Sequence, residues 1–288
     1  MVLVDTPTPW PKPALAHPLL TDLAAVLKAG PVPTRLLAAI GPGFGSVEGA
    51  PVAVVLYRRQ GGAAIEERFG VADSADLAAW GRALVADLDL SPWRLGSPSP
   101  SPAPARPAVL ICTQGSHDVC CGADGVRFAT EAEAALDVDV YRVSHTGGHR
   151  FAPTALTFPD GRMWADLDLD ALRAILAEAG DVDAVADRCR GWWGAETGPA
   201  QVAERAVWAE LGWEANEADR TVEIGPPPTP PSAGTDRDRF DAVVTVADET
   251  WAVELAAGRT VPTIACRQPG GLPAKEAREY DVLSVRRA

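Results

Sequence analysis

The sequence is poor in the residues that large classes of function depend on. Lys and Arg number 26 against 39 Asp and Glu, giving a formal net charge of −13. Phosphate backbones are held by clustered cations, so a nucleic-acid partner is not expected. No apolar run approaches the ~20 residues that cross a bilayer, so no membrane span is expected. The first twelve residues have no basic stretch and are not read as a signal peptide, which places the protein in the cytoplasm as an expectation. Cysteine is scarce and odd in number, five in 288 residues. That count, unevenly spaced, does not suggest a disulfide framework. Only four histidines occur.

What is present is concentrated. Three of the five cysteines are Cys112, Cys120 and Cys121, and His117, His145 and His149 follow close behind. The soft and borderline metal ligands thus gather in one segment. Apolar residues make up 47% of the chain, enough for a substantial core, and an acidic surface suits a carrier that docks on a basic partner.

Periodicity divides the chain into four. Residues 1–90 read as an N-terminal α/β region: a helix over 17–30, strands at 51–58 and 64–71, and a helix over 74–90, with no chemical motif. Residues 91–107 are a Pro/Ser-rich linker. Over 108–190 the pattern is strand (108–112), helix (125–136), strand (138–144), a hairpin of 155–158 with 162–165 around Pro159-Asp160-Gly161, and helix (169–179). That order is the thioredoxin-like one, a mixed sheet with helices on its faces. Residues 191–288 read as a small C-terminal α+β region, with a helix at 199–212, short strands at 222–224, 242–246, 251–255 and 263–266, and a rigid Pro-rich spacer at 226–231. The fold class expected is α/β. No internal repeat is visible.

The chemistry sits in Cys112-x8-Cys121-Gly122 and, further on, His145-Thr146-Gly147-Gly148-His149. Cys112 ends a strand, Cys121 precedes a helix, and the glycine pair puts the histidines in a loop at the end of the next strand, so four ligands converge on one sheet edge. Thiolates and imidazoles ligate both zinc and iron–sulfur centres.

This segment resembles the sucrase/ferredoxin-like family, through the Cys-x8-Cys-Gly pattern after the strand Val109-Leu110-Ile111 and the His-x-Gly-Gly-His loop. The likeness is close over 108–165 and looser through 191–212. It implies a thioredoxin-like ferredoxin domain with a [2Fe–2S] cluster, one iron on Cys112 and Cys121 and the other on His145 and His149. It favours Cys121 over the adjacent Cys120. It implies one-electron relay between a reductase and an acceptor protein. No dinucleotide fingerprint supplies electrons from within the chain.

Three other readings stand beside it. A structural zinc site could use the same Cys2His2 set, although zinc sites usually space their cysteines more tightly. A thiol oxidoreductase could use Cys120-Cys121, although no Cys-x-x-Cys is present. A hydrolase would need a marked carboxylate pair, and none stands out. His117 and Asp118 are expected in a solvated loop, Cys189 and Cys266 as small buried hydrophobes, and Trp192 and Trp193 in the core, beside the metal or in a docking patch.

Overall fold

The structure is a computed structural model and describes residues 1–45, 50–95, 105–147, 151–226, 238–264 and 273–288. Cys266, the end of the strand expected at 263–266, most of the Pro-rich spacer, and His149 lie outside the described residues.

Nine strands form one mixed sheet and four more form an antiparallel one. The large sheet uses β1 (Val2–Asp5), β2 (Leu36–Ile40), β3 (Val52–Gln60), β4 (Ala63–Val71), β5 (Ala108–Cys112), β6 (Asp139–Val143), β7 (Ala155–Phe158), β8 (Arg162–Trp164) and β9 (Cys189–Trp192). Their order is β4-β3-β1-β2-β6-β5-β7-β8-β9. The sheet therefore runs without a break from the N-terminal region into the cysteine-bearing segment, through an antiparallel seam that pairs Ala39 with Val143 and Ile40 with Arg142. Only β1–β2 and β5–β6 are parallel, each spanned by a helix.

Both ends of the Pro/Ser-rich stretch are fastened to β4, where the amide of Leu95 donates to the Arg68 carbonyl and that of Ala105 to the Ala64 carbonyl. β1, β2 and β9 were not anticipated as strands. β1 and β2 are short and apolar without alternation, as befits strands covered on both faces.

Helices α1 (Thr21–Ala29), α2 (Ser74–Val85), α3 (Val126–Ala135) and α4 (Leu169–Leu176) share one face of this sheet. α2 starts where Asp73 accepts from the amides of Ala75 and Asp76, and α4 where Asp168 accepts from Ala171. The opposite face is lined by Leu3, Leu37, Ala39, Val55, Leu110, Val143 and Leu156. It is closed by curling: the Tyr57 and Phe158 rings stack at 4.0 Å, and the Ala64 amide donates to the Pro159 carbonyl.

α5 (Gly198–Leu211) and the second sheet, β10 (Arg220–Ile224), β11 (Arg239–Val246), β12 (Glu249–Ile264) and β13 (Pro273–Arg287), pack against the core of β5, β6 and α3. No described helix is long and apolar enough to cross a membrane. The join is ionic as well as apolar. Arg162 of β8, fully buried, makes a bidentate pair with Glu204 of α5 at 3.0 and 3.1 Å and donates to Asn216 at 2.6 Å. Arg220 of β10 lies 3.4 Å from the same carboxylate and over the Trp192 ring. Trp192 is thus core.

Glu204→Gln leaves two guanidiniums buried with one counter-charge fewer. Removing one partner of a buried pair costs about 3–5 kcal/mol, whereas Arg173→Ala, which breaks an exposed pair, should stay within about 0.5 kcal/mol. Urea denaturation of the two variants checks the contrast, and equal effects would refute it.

Candidate metal centre

Cys112 closes β5 and is 1% exposed. Its amide is held by the Thr154 carbonyl, so the cysteine is fixed at the strand's end. The chain then folds back through Gly115 and re-enters helix as a π-turn, Cys121–Gly125, running into α3. π-Turns widen the backbone locally and recur at functional sites. Two glycines permit the return. A Cβ on Gly125 would stand 2.1 Å from the Cys112 carbonyl oxygen, and one on Gly122 would stand 2.6 Å from the Gly115 Cα. Both contacts are backbone, and neither can yield cheaply.

Tight folding brings Cys121 onto Cys112. The Cys112 sulfur takes hydrogen bonds from the Cys121 thiol, the His145 ring, and the amides of Thr146 and Gln114. The Cys121 hydrogen bond, more than the rest, holds the Cys112 thiol well below its ordinary range, against the desolvation that opposes it. Cys121 is pushed up in turn, first by its bond to Cys112 and then by burial. Of the pair, Cys112 is the sulfur whose charged form these neighbours favour.

His145 is positioned from several sides. Its amide donates to Gln114 Oε1 at 3.0 Å, and Gln114 Nε2 donates to the Pro11 carbonyl at 2.7 Å. The His117 ring stacks on it, with centroids 3.7 Å apart. Lys12 Nζ donates to the His117 carbonyl at 3.0 Å, and Ser116 Oγ to the Trp10 carbonyl at 2.7 Å. Arg35 Nη2 reaches the His145 carbonyl at 3.5 Å. Burial lowers the Arg35 guanidinium, Cys112 opposes that lowering, and Arg190 adds to it.

The loop between the cysteines is thus ordered and partly buried, unlike the solvated loop expected for it. Asp118 is 4% exposed and accepts from the Cys120 amide at 3.1 Å. The histidine stack was invisible in sequence, since His117 and His145 meet only through the fold.

Cys112, Cys121 and Cys189 are free and buried, whereas Cys120 is in a disulfide. Of the two adjacent cysteines, Cys121 is therefore the one with a thiol to offer. Of the four ligand positions read from sequence, the structure brings Cys112, Cys121 and His145 together, and His149 lies outside the described residues. Among the described residues no three His, Cys, Asp or Glu side chains stand ready at metal-ligand spacing.

The profile of the sucrase/ferredoxin-like family matches residues 15–191, more than half of the chain. The chain belongs to the sucrase/ferredoxin-like family. The match takes in α1 to β9 and stops before α5 and the second sheet. No curated protein and no solved structure gives a significant match.

Gly125→Ala should lower stability by a few kcal/mol, on the scale of a steric clash in a packed core. It should also separate the cysteines. Thermal denaturation and titration of free thiols would check this, and a wild-type melting temperature would show that the backbone contact is not limiting.

Proposed function

We propose that the chain holds a [2Fe–2S] cluster on Cys112, Cys121, His145 and His149 and relays single electrons between a reductase and an acceptor protein. The observation that carries this reading is the convergence of Cys121, His145 and two backbone amides on the Cys112 sulfur. Amide donors to a ligating sulfur spread its negative charge and raise the potential of an iron–sulfur centre. The bound cluster would supply the one-electron couple.

The chain's own residues do the rest. Gln114 and the His117 stack fix the His145 ring. β5 and the π-turn fix the two sulfurs. The order β6-β5-β7-β8, with α3 and α4 on one face, supports a thioredoxin-like reading of this half. The excess of acidic residues would steer a basic redox partner.

A second reading rests on a cleft of about 990 Å³ beside the site, lined among others by Lys28, Arg35, Met163 and Trp193. Arg35 belongs both to this cleft and to the hydrogen bonds of His145, so a small acceptor bound there would be linked to His145 through the Arg35 side chain. A reduction rate that saturates with a small anionic acceptor and slows in Lys28→Glu would favour it.

UV–visible and EPR spectra of anaerobically purified protein, before and after dithionite, test the main reading. Charge-transfer bands and an S = 1/2 signal are expected. In His145→Cys the signal should shift and the potential fall by on the order of 100 mV, since a thiolate replaces a neutral ligand. Cys112→Ala and Cys121→Ala should lose the colour and Cys120→Ser should keep it. A colourless, EPR-silent protein carrying zinc would overturn electron transfer and leave a structural metal site.

A further inference from the structure

The two parallel pairs of the large sheet are built alike. In each, a strand, a helix and a parallel strand are followed by an antiparallel hairpin and a second helix: β1-α1-β2-β3-β4-α2, then β5-α3-β6-β7-β8-α4. The spatial orders are mirror-ordered across the seam, β4-β3-β1-β2 against β6-β5-β7-β8.

Register fixes which residues correspond. The Thr6 amide donates to the Ala39 carbonyl and the Thr113 amide to the Val143 carbonyl, each just past the first strand. Thr6 therefore matches Thr113, and Ala39 matches Val143. The ladders agree: Val2 pairs with Leu36 and Leu56, and Val109 with Val140 and Thr157. Carried along, this matches Leu3 with Leu110, Leu37 with Tyr141, Val55 with Leu156 and Tyr57 with Phe158. All eight side chains lie in the core of the curled face, and Tyr57 stacks on Phe158 itself. In the hairpins Phe69 matches Trp164, and both are fully buried.

The seam gives an independent check. Its pairing sets Ala39 opposite Val143, two residues already matched by other hydrogen bonds. An antiparallel pair of equivalent residues lies on a twofold axis. Matched positions also brace across the seam: Arg35 of one half reaches the His145 carbonyl of the other, and its match Asp139 pairs at 2.9 Å with Arg68 of the first half.

We infer that residues 1–85 are a second copy of the unit at 108–176 that has lost its metal site, so that the chain is a single-chain pseudo-dimer with one loaded half. Asp5 stands where Cys112 stands, and its carboxylate accepts from the Gly45 amide at 3.0 Å. The five residues after the matching strands read Gly41-Pro42-Gly43-Phe44-Gly45 and His145-Thr146-Gly147-Gly148-His149. Gly43 and Gly147 share a positive φ, +72° and +90°. The left-handed glycine is common to both, and the cysteine and histidines are not. Space has closed as well: a Cβ on Gly41 would stand 2.4 Å from the Tyr141 ring. Residues 1–111 contain no cysteine and one histidine. The role left to the first copy is the one a partner subunit plays in a symmetric dimer. It supplies Trp10, Pro11, Lys12 and Arg35 to the ligand loops of the second.

Two readouts on the full chain test this, and only the metal arm rests on the cluster reading. A crystal structure should superpose β1, β2, β3 and β4 on β5, β6, β7 and β8 by a half-turn about the Ala39–Val143 pair. A different strand order or an axis elsewhere would overturn the repeat. Iron analysis should give two irons per chain, unchanged in Asp5→Asn and absent in Cys112→Ala. Four irons, half of them lost in Asp5→Asn, would show that the first copy is loaded and overturn its loss of the site. An iron-free parent chain would count against the cluster of the preceding subsection, and the superposition would still decide the repeat.

Discussion

The short antiparallel seam between β2 and β6 is the join on which the rest of the molecule depends. It is only a few residues long, yet it makes one nine-stranded sheet of two units that would each present an open edge. Unpaired strand edges invite association, and joining two edges within one chain removes that hazard. The seam is finished by Ser144, whose amide donates to the Ala38 carbonyl while its hydroxyl accepts from the Ala38 amide at 3.1 Å. His145 follows directly. The side chain that ends the seam thus adjoins the first histidine of the site, and the join between the halves also sets where the ligand loop begins.

A buried thiolate is costly unless several donors face it. Here they come from three places in sequence: Gln114 after β5, Cys121 from the π-turn, and His145 and Thr146 after β6. Cys121 could not return to Cys112 without the glycine contacts that fold the 113–125 segment back on itself, and N-terminal residues brace that segment. Donor chemistry, close backbone approach and the seam are consecutive requirements, each useless without the one before.

The candidate site was legible because cysteine and histidine are rare and their chemistry is narrow. Cys112, the Cys120-Cys121 pair and His145 could be read as candidates from type and spacing, the choice of Cys121 coming from the family resemblance, and the longer helices could be read from their periodicity and caps. β1 and β2 could not, because strands covered on both faces lose the alternation that marks a strand, and β9 was masked by Gly191 and by the Trp192-Trp193-Gly194 run at its end. β13 was missed for the opposite reason. Its residues are polar and half-exposed, and it exists because β12 offers it a long edge. The repeat was hidden more thoroughly. What the halves share is register, buried apolar positions and one left-handed glycine, while ring replaces aliphatic, as Tyr141 does Leu37, and loop lengths differ.

The buried Arg162–Glu204–Arg220 cluster has no counterpart in the first half, where Glu67 holds the position matching Arg162 and pairs with Arg58 and Arg94 near the surface. That difference follows from what covers each hairpin. β3 and β4 meet solvent through Arg and Glu, so their charges can remain hydrated. β8 is roofed by α5, β9 and β10, so its arginine must bring its counter-charge inside. Such a cluster adds little net stability compared with apolar packing, but it tolerates few alternative arrangements. It therefore ties α5 and β10 to β8 on the half that bears Cys112, Cys121 and His145.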